Sequence, residues 1–124
     1  MSGANRVWIE GSPQLSVSTP AQTSQGVTAG VILTANPKRK GIIIQNTGTT
    51  VIKLSFGSTL PTATAYHVAL AVCTSANDGT GGIYMDDSWV GQVNALSSGA
   101  GGTMVITELQ TGSPDWDRSS DWGL

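Results

Sequence analysis

Four groups of side chains in this sequence are of types that could do chemistry. His67 and Cys73 are its lone histidine and lone cysteine, and they share strand parity if residues 65–73 form a strand. A Cys–His nucleophilic pair needs hydrogen-bond contact and a third group to orient the base. At about 3.3 Å rise per residue, positions 67 and 73 of one strand lie too far apart for that. A surface or core-edge histidine and a small buried cysteine are the readings that remain. Asp86, Asp87 and Glu108 could supply the paired acids of glycoside hydrolysis, which must stand at a set separation. Asp86 and Asp87 are adjacent, so on a strand they point to opposite faces, and they lead into a Ser88-Trp89 turn. Trp89 and Tyr84 could stack on a sugar beside them; the competing reading has Trp89 closing one end of a core. Asn77-Asp-Gly-Thr-Gly-Gly82 offers calcium-type oxygen ligands but lacks the further Asp/Asn spacing and the terminal Glu, which leaves a plain turn. Neither glycine cluster, 79–82 or 99–102, has the lysine and helix start of a phosphate cradle. One Cys and one His close no zinc site, and one Cys forms no internal disulfide. The sequence therefore predicts a protein that is not an enzyme, with no metal and no cofactor.

With no reactive constellation to position, the elements themselves carry the reading. The 124 residues suit one domain. Charged residues make up 11% of the chain, against about a quarter in an ordinary protein, so Ser, Thr, Asn, Gln and Gly must supply the polar surface. Such a neutral, hydrogen-bonding surface suits lateral packing against other proteins. The net charge of −2 argues against a nucleic-acid partner, which demands a basic face. The one basic cluster, Lys38, Arg39 and Lys40, reads as a solvated turn or, more sharply, as a contact for an acidic neighbouring subunit. The first ten residues show no apolar signal core, and no apolar run approaches a membrane span, so the expectation is a soluble chain made in a cytoplasm with no membrane partner.

Two β-rich runs, residues 42–45 and 51–56, flank the polar turn 46–50, and this predicts a β-hairpin. Ile52, Leu54 and Phe56 alternate with Val51, Lys53 and Ser55, so one face of that strand is buried. The run Ile42-Ile43-Ile44 does not alternate and reads as buried on both faces or covered by a neighbour. Further strands are expected at 27–35, 65–73, 83–86, 90–96 and 103–109. The turns between them recur at the spacing of an antiparallel sandwich, and no segment keeps a 3.6 period. The predicted fold is all-β: an antiparallel, jelly-roll-like β-sandwich over residues 26–111. Residues 1–25, broken by prolines, read as an extended N-terminal arm with Val7, Trp8 and Ile9 as its docking patch. Residues 112–124 read as a C-terminal tail whose Trp116 and Trp122 are anchors for pockets, since tryptophan is costly to leave wet.

The cluster Lys38-Arg39-Lys40 followed by Gly41-Ile-Ile-Ile-Gln-Asn-Thr-Gly48, and then Val51-Ile-Lys-Leu-Ser-Phe-Gly57, resembles the small β-sandwich virion proteins of tailed phages. These decorate or cement heads, and related domains occur in tail and fibre components. The resemblance continues through residues 82–96 and 103–109. It implies a structural virion protein on the capsid surface, with the major capsid protein and its own copies (a trimer or dimer) as partners. The arm and the tail lie outside the resemblance. Val7, Trp8, Ile9, Lys38, Arg39, Lys40, Trp116 and Trp122 are the expected partner-binding residues. The alternative is a tail or fibre domain that binds a host-surface glycan at Trp89 and Tyr84.

Overall fold

Alternation along the chain sorts side chains between a shared core and two outer faces, and nine strands result among the described residues. The computed structural model describes residues 15–111. The strands are β1 (Leu15–Val17), β2 (Gln22–Gln25), β3 (Gly30–Leu33), β4 (Arg39–Asn46), β5 (Ile52–Phe56), β6 (Val68–Leu70), β7 (Ile83–Asp86), β8 (Val93–Ser97) and β9 (Gly102–Thr111). They form two antiparallel sheets. The first runs β1-β9-β4-β7, with β2 also on β9; the second runs β3-β8-β5-β6. From β2 onward the chain crosses between the sheets at every connection except β5 to β6, which gives the jelly-roll arrangement of the β-sandwich expected from the sequence.

The core lies between the sheets. Ile42, Ile44 and Met104 enter it from the first sheet, and Ile52, Leu54, Leu70, Val93 and Ala95 from the second. Each such side chain contributes about 1.5–3 kcal/mol relative to leaving it in water. Ile52 and Leu54 are wholly buried and Phe56 packs at the core's edge, as their alternation predicts. Ser55 points the other way and donates its hydroxyl to the Thr59 carbonyl at 2.7 Å.

Three expectations need correction. The runs around 42–45 and 51–56 do not form a hairpin: β4 pairs with β7 and β9, whereas β5 pairs with β6 and β8. The turn between them is an arch that carries the chain from one sheet to the other. Asn46 makes the crossing possible. Its buried amide donates to the carbonyls of Thr50 at 2.8 Å and Leu70 at 3.1 Å and accepts from the Gly48 N–H at 2.9 Å. Those bonds replace the ladder that a hairpin would have supplied. Gly81 packs against the Asn46 carbonyl so closely that a Cβ there would collide with it.

Secondly, β4 does alternate. Ile42 and Ile44 are buried, while Ile43 is only partly covered on the outer face of the first sheet. Thirdly, residues 15–25 are not an arm apart from the body. Leu15–Val17 and Gln22–Gln25 lie end to end along the same side of β9. Pro20 falls between the two strands. β6 is also shorter than expected, because Gly82 and Cys73 bond backbone partners outside it, at Ala71 and Gly48.

Candidate functional site

The ladder registers lay out the outer face of the first sheet in rows. Ile43 stands between Thr107 and Met85, Gln45 between Val105 and Ile83, and Leu109 between Gly41 and Val17. Partners directly opposite share a face, so one apolar band crosses this side from β1 to β7: Val17, Leu109, Ile43, Met85, Ile83 and Val105. Val17 is 62% exposed and Met85 68%. Gly41 contributes no side chain, and Leu109 leans into the gap. The result is a notch of about 420 Å³ lined by Gly41, Ile42, Ile43, Met85 and Leu109 together with Lys40, Asp86 and Asp87. Charged groups are otherwise sparse on this face.

The expected partner-binding residues divide. Val7, Trp8, Ile9, Trp116 and Trp122 lie outside the described residues. Lys38 and Lys40 are exposed. Arg39 is withdrawn into the fold, which corrects its reading as a surface contact: its side chain has no exposed area and pairs with Glu108 at 2.7 Å. The bulge between Arg39 and Gly41 in the β4–β9 ladder separates the buried Arg39 from the exposed Lys40. The guanidinium also donates to the carbonyls of Thr34 at 2.6 Å and Gly91 at 2.7 Å, with a longer contact to Trp89 at 3.4 Å. The planar fork thus ties two loops to β9. Asn36 completes the knot by donating to Glu108 at 3.3 Å and Gln110 at 2.8 Å.

The three carboxylates considered for hydrolysis have separate occupations. Glu108 and Asp86 flank Ile42 in one row of the ladder, and Glu108 is spent on Arg39. Asp86 folds its own turn, accepting from Trp89 N–H at 2.6 Å and from the Ser88 hydroxyl at 3.1 Å and N–H at 3.3 Å. The Trp89 N–H chiefly holds the Asp86 carboxyl below its usual range, with the Ser88 and Asp87 bonds adding to this against some desolvation. Because the folded state lowers this pKa, the bond's contribution is present above the ordinary carboxylate range and is lost as pH falls through the folded value. Asp86→Ala is expected to cost less than about 1 kcal/mol at neutral pH, given the group's exposure. The loss should shrink on acidification, which a series of urea melts from neutral to acid pH measures. A loss independent of pH would show that the turn does not depend on the ionised carboxylate.

Trp89 and Tyr84 do not make an open platform. Trp89 folds over Gly91, donates its indole N–H to the Gln92 carbonyl at 3.0 Å and meets the Phe56 ring edge-on at 6.3 Å. Tyr84 packs on Phe56 at 5.0 Å, and burial, with a smaller push from the Asp86 charge, raises its hydroxyl pKa. The indole thus packs its edge on Phe56 while staying 36% exposed. On Phe56's far side His67 stacks at 5.7 Å, and its Nδ1 accepts the Phe56 N–H at 3.0 Å. Beyond it, Leu60, Thr62, Tyr66 and His67 line a broad groove of about 660 Å³, where Lys53 sits 5.0 Å from the Tyr66 ring centre. Cys73 is buried and donates its thiol to the Asn46 carbonyl at 3.2 Å. Asp78 organises the 75–80 turn, and its pKa is lowered chiefly by the Thr80 hydroxyl. The described residues contain no cluster of three metal-ligating side chains, and no described helix is long and apolar enough to cross a membrane.

Sequence reasoning missed the outer band. Its signal was the alternation of Ile83 with Met85 and of Val105 with Leu109, together with Leu15 and Val17 in a stretch read as arm. No protein-family model matches the chain, and no curated protein matches it. One similar solved structure is described as belonging to Bacillus endospore appendages, a family of disulfide-linked pili. The two are 19% identical over 84% of this chain and 94% of that one, with a TM-score of 0.48. A likeness at that level carries no argument about what this chain does.

Proposed function

We propose that this chain is a structural virion protein that binds the outside of a tailed-phage capsid and stabilises it by bridging capsomers, as decoration or cement proteins do. The observation that supports this reading best is the apolar band across the outer face of the first sheet, on a chain whose charged fraction is 11%. Laid across a capsomer joint, such a band removes apolar surface from water at about 25 cal/mol per Å². Each copy adds a modest contact, and many copies reinforce one another. The partners are then the major capsid protein and other copies of this chain, which would also cover the edge strands β1, β2, β3, β6 and β7.

The test is co-sedimentation of the purified chain with phage heads that lack it, counting bound copies by densitometry. Saturation at a copy number matched to the capsomers is expected. Met85→Asp, which alters only an exposed position in the band, should lower the affinity severalfold, and so should removal of residues 113–124. Wild-type affinity in both variants would sink the assignment of the contact. Binding at only a few sites would favour the second reading, a tail or fibre domain for a host glycan. That reading draws on the Tyr66–His67 groove, where an exposed ring adjoins hydroxyl and imidazole groups, and a titration with host polysaccharide would address it.

A further inference from the structure

We propose that Trp116 of the chain's own C-terminal tail seats in the notch over Gly41, so that the tail lies back across the outer face of the first sheet. The tail starts in the right place. β9 ends at Thr111, two positions past Leu109, which lines the notch. Residues 112–114 are Gly-Ser-Pro, a composition that turns a chain. Trp116 stands five positions beyond Thr111, a reach of up to about 17 Å, whereas Leu109 is only about 7 Å back along the strand. A segment returning from that turn has one surface to lie on. β1 and β4 occupy the two sides of β9, and the core fills its inner face.

The notch suits the side chain. Its floor is apolar, its volume of about 420 Å³ admits an indole, and an indole buries roughly 150–250 Å² when it finds such a site. The charged groups in its lining match the tail's charges. Asp115 and Asp117 flank Trp116 in sequence. Lys40 stands at the notch, and Lys38 lies beside the tail's origin, its carbonyl accepting the Thr111 N–H at 2.9 Å. Arg118 follows, and Asp87 in the notch lining is a partner for it. The seated tail would form part of the face proposed above for the capsid contact, and the seating itself is tested on the free chain.

The test uses the full chain labelled with 5-fluorotryptophan. Its four indoles (Trp8, Trp89, Trp116 and Trp122) give separate ¹⁹F resonances, assigned by single Trp→Phe substitutions. In the unmodified chain the Trp116 resonance should be displaced from the free-indole position and insensitive to exchange of H₂O for D₂O, at every dilution. Met85→Asp and Lys40→Glu, both at exposed positions, should each return it to the free position, while an unmoved Trp89 resonance reports that the fold persists. A solvent-exposed Trp116 in the unmodified chain overturns the proposal. So does protection that survives both substitutions, which would place the indole elsewhere. Protection lost on dilution would make the occupant a second copy, and a response confined to Trp8 would make it the N-terminal segment; either also overturns it.

Discussion

Arg39→Ala is expected to destabilise the chain by about 3–5 kcal/mol, the usual cost of breaking a buried ion pair by removing one partner. The substitution removes the charge that neutralises Glu108 and the donors that satisfy the Thr34 and Gly91 carbonyls, and it leaves a cavity where the stem packed. Glu108 is 22% exposed and recovers some hydration; the loop carbonyls recover theirs only if the loops move. Glu108→Ala should be comparably costly, since it strands a guanidinium with no exposed area. Arg39→Lys should rescue little, because one ammonium cannot span the positions that the planar fork reaches. Urea unfolding measures all three, and a double-mutant cycle isolates the pair. A domain of this size has about 5–15 kcal/mol in total, so the loss should be evident in expression as well as in the midpoint. A shift below about 1 kcal/mol for Arg39→Ala would mean that the knot is open in solution.

Asn46→Ala is expected to cost about 3 kcal/mol or more. The amide serves two carbonyls and one N–H at the arch, and each buried polar group left unpaired costs about 1–3 kcal/mol. Water has poor access, since Asn46 is fully buried and Gly81 and Cys73 close over its carbonyl. The loss should appear mainly as a lower urea midpoint with an unchanged slope, because the same surface is exposed on unfolding. Asn46→Asp keeps the acceptor for Gly48 but loses the two donations while ionised, so it should not restore stability at neutral pH. A fully stable Asn46→Asp variant would show that the donations to Thr50 and Leu70 are dispensable.

These two residues also mark where the sequence stops being legible. The strands could be read because period-2 burial leaves an imprint on residue type, as Ile52, Leu54 and Phe56 do. Pairing leaves much less. A strand facing the core across a sandwich and a strand beside it in a sheet bury the same alternate positions, so 42–45 and 51–56 looked like hairpin partners. The ladder partners of β4 and β5 and the bonds that Asn46 makes across the arch distinguish it from a hairpin, and both are tertiary. Arg39 was misplaced for a related reason. A basic triplet reads as solvated because charge rarely enters a core alone, and its partner Glu108 is distant in sequence. The band on the outer face was hidden in plain alternation, since its members belong to four strands and become neighbours only once the register is set.

The pairing of β1 and β2 with β9 has a consequence for how the chain is made. The earliest described strands and the latest are ladder partners, and β9 alone joins β1 and β2 to β4. During synthesis β4 therefore waits with an unsatisfied edge until the last strand leaves the ribosome exit tunnel. The first sheet closes only once β9 is free to pair, through the contacts of longest sequence separation among the described residues, which is the slow class of folding step. Until then the Ile42-Ile43-Ile44 edge is open to pairing between nascent chains on one messenger. A chain stalled before β9 should be a client for chaperones, and one stalled far enough beyond it to free β9 from the tunnel should already resist protease.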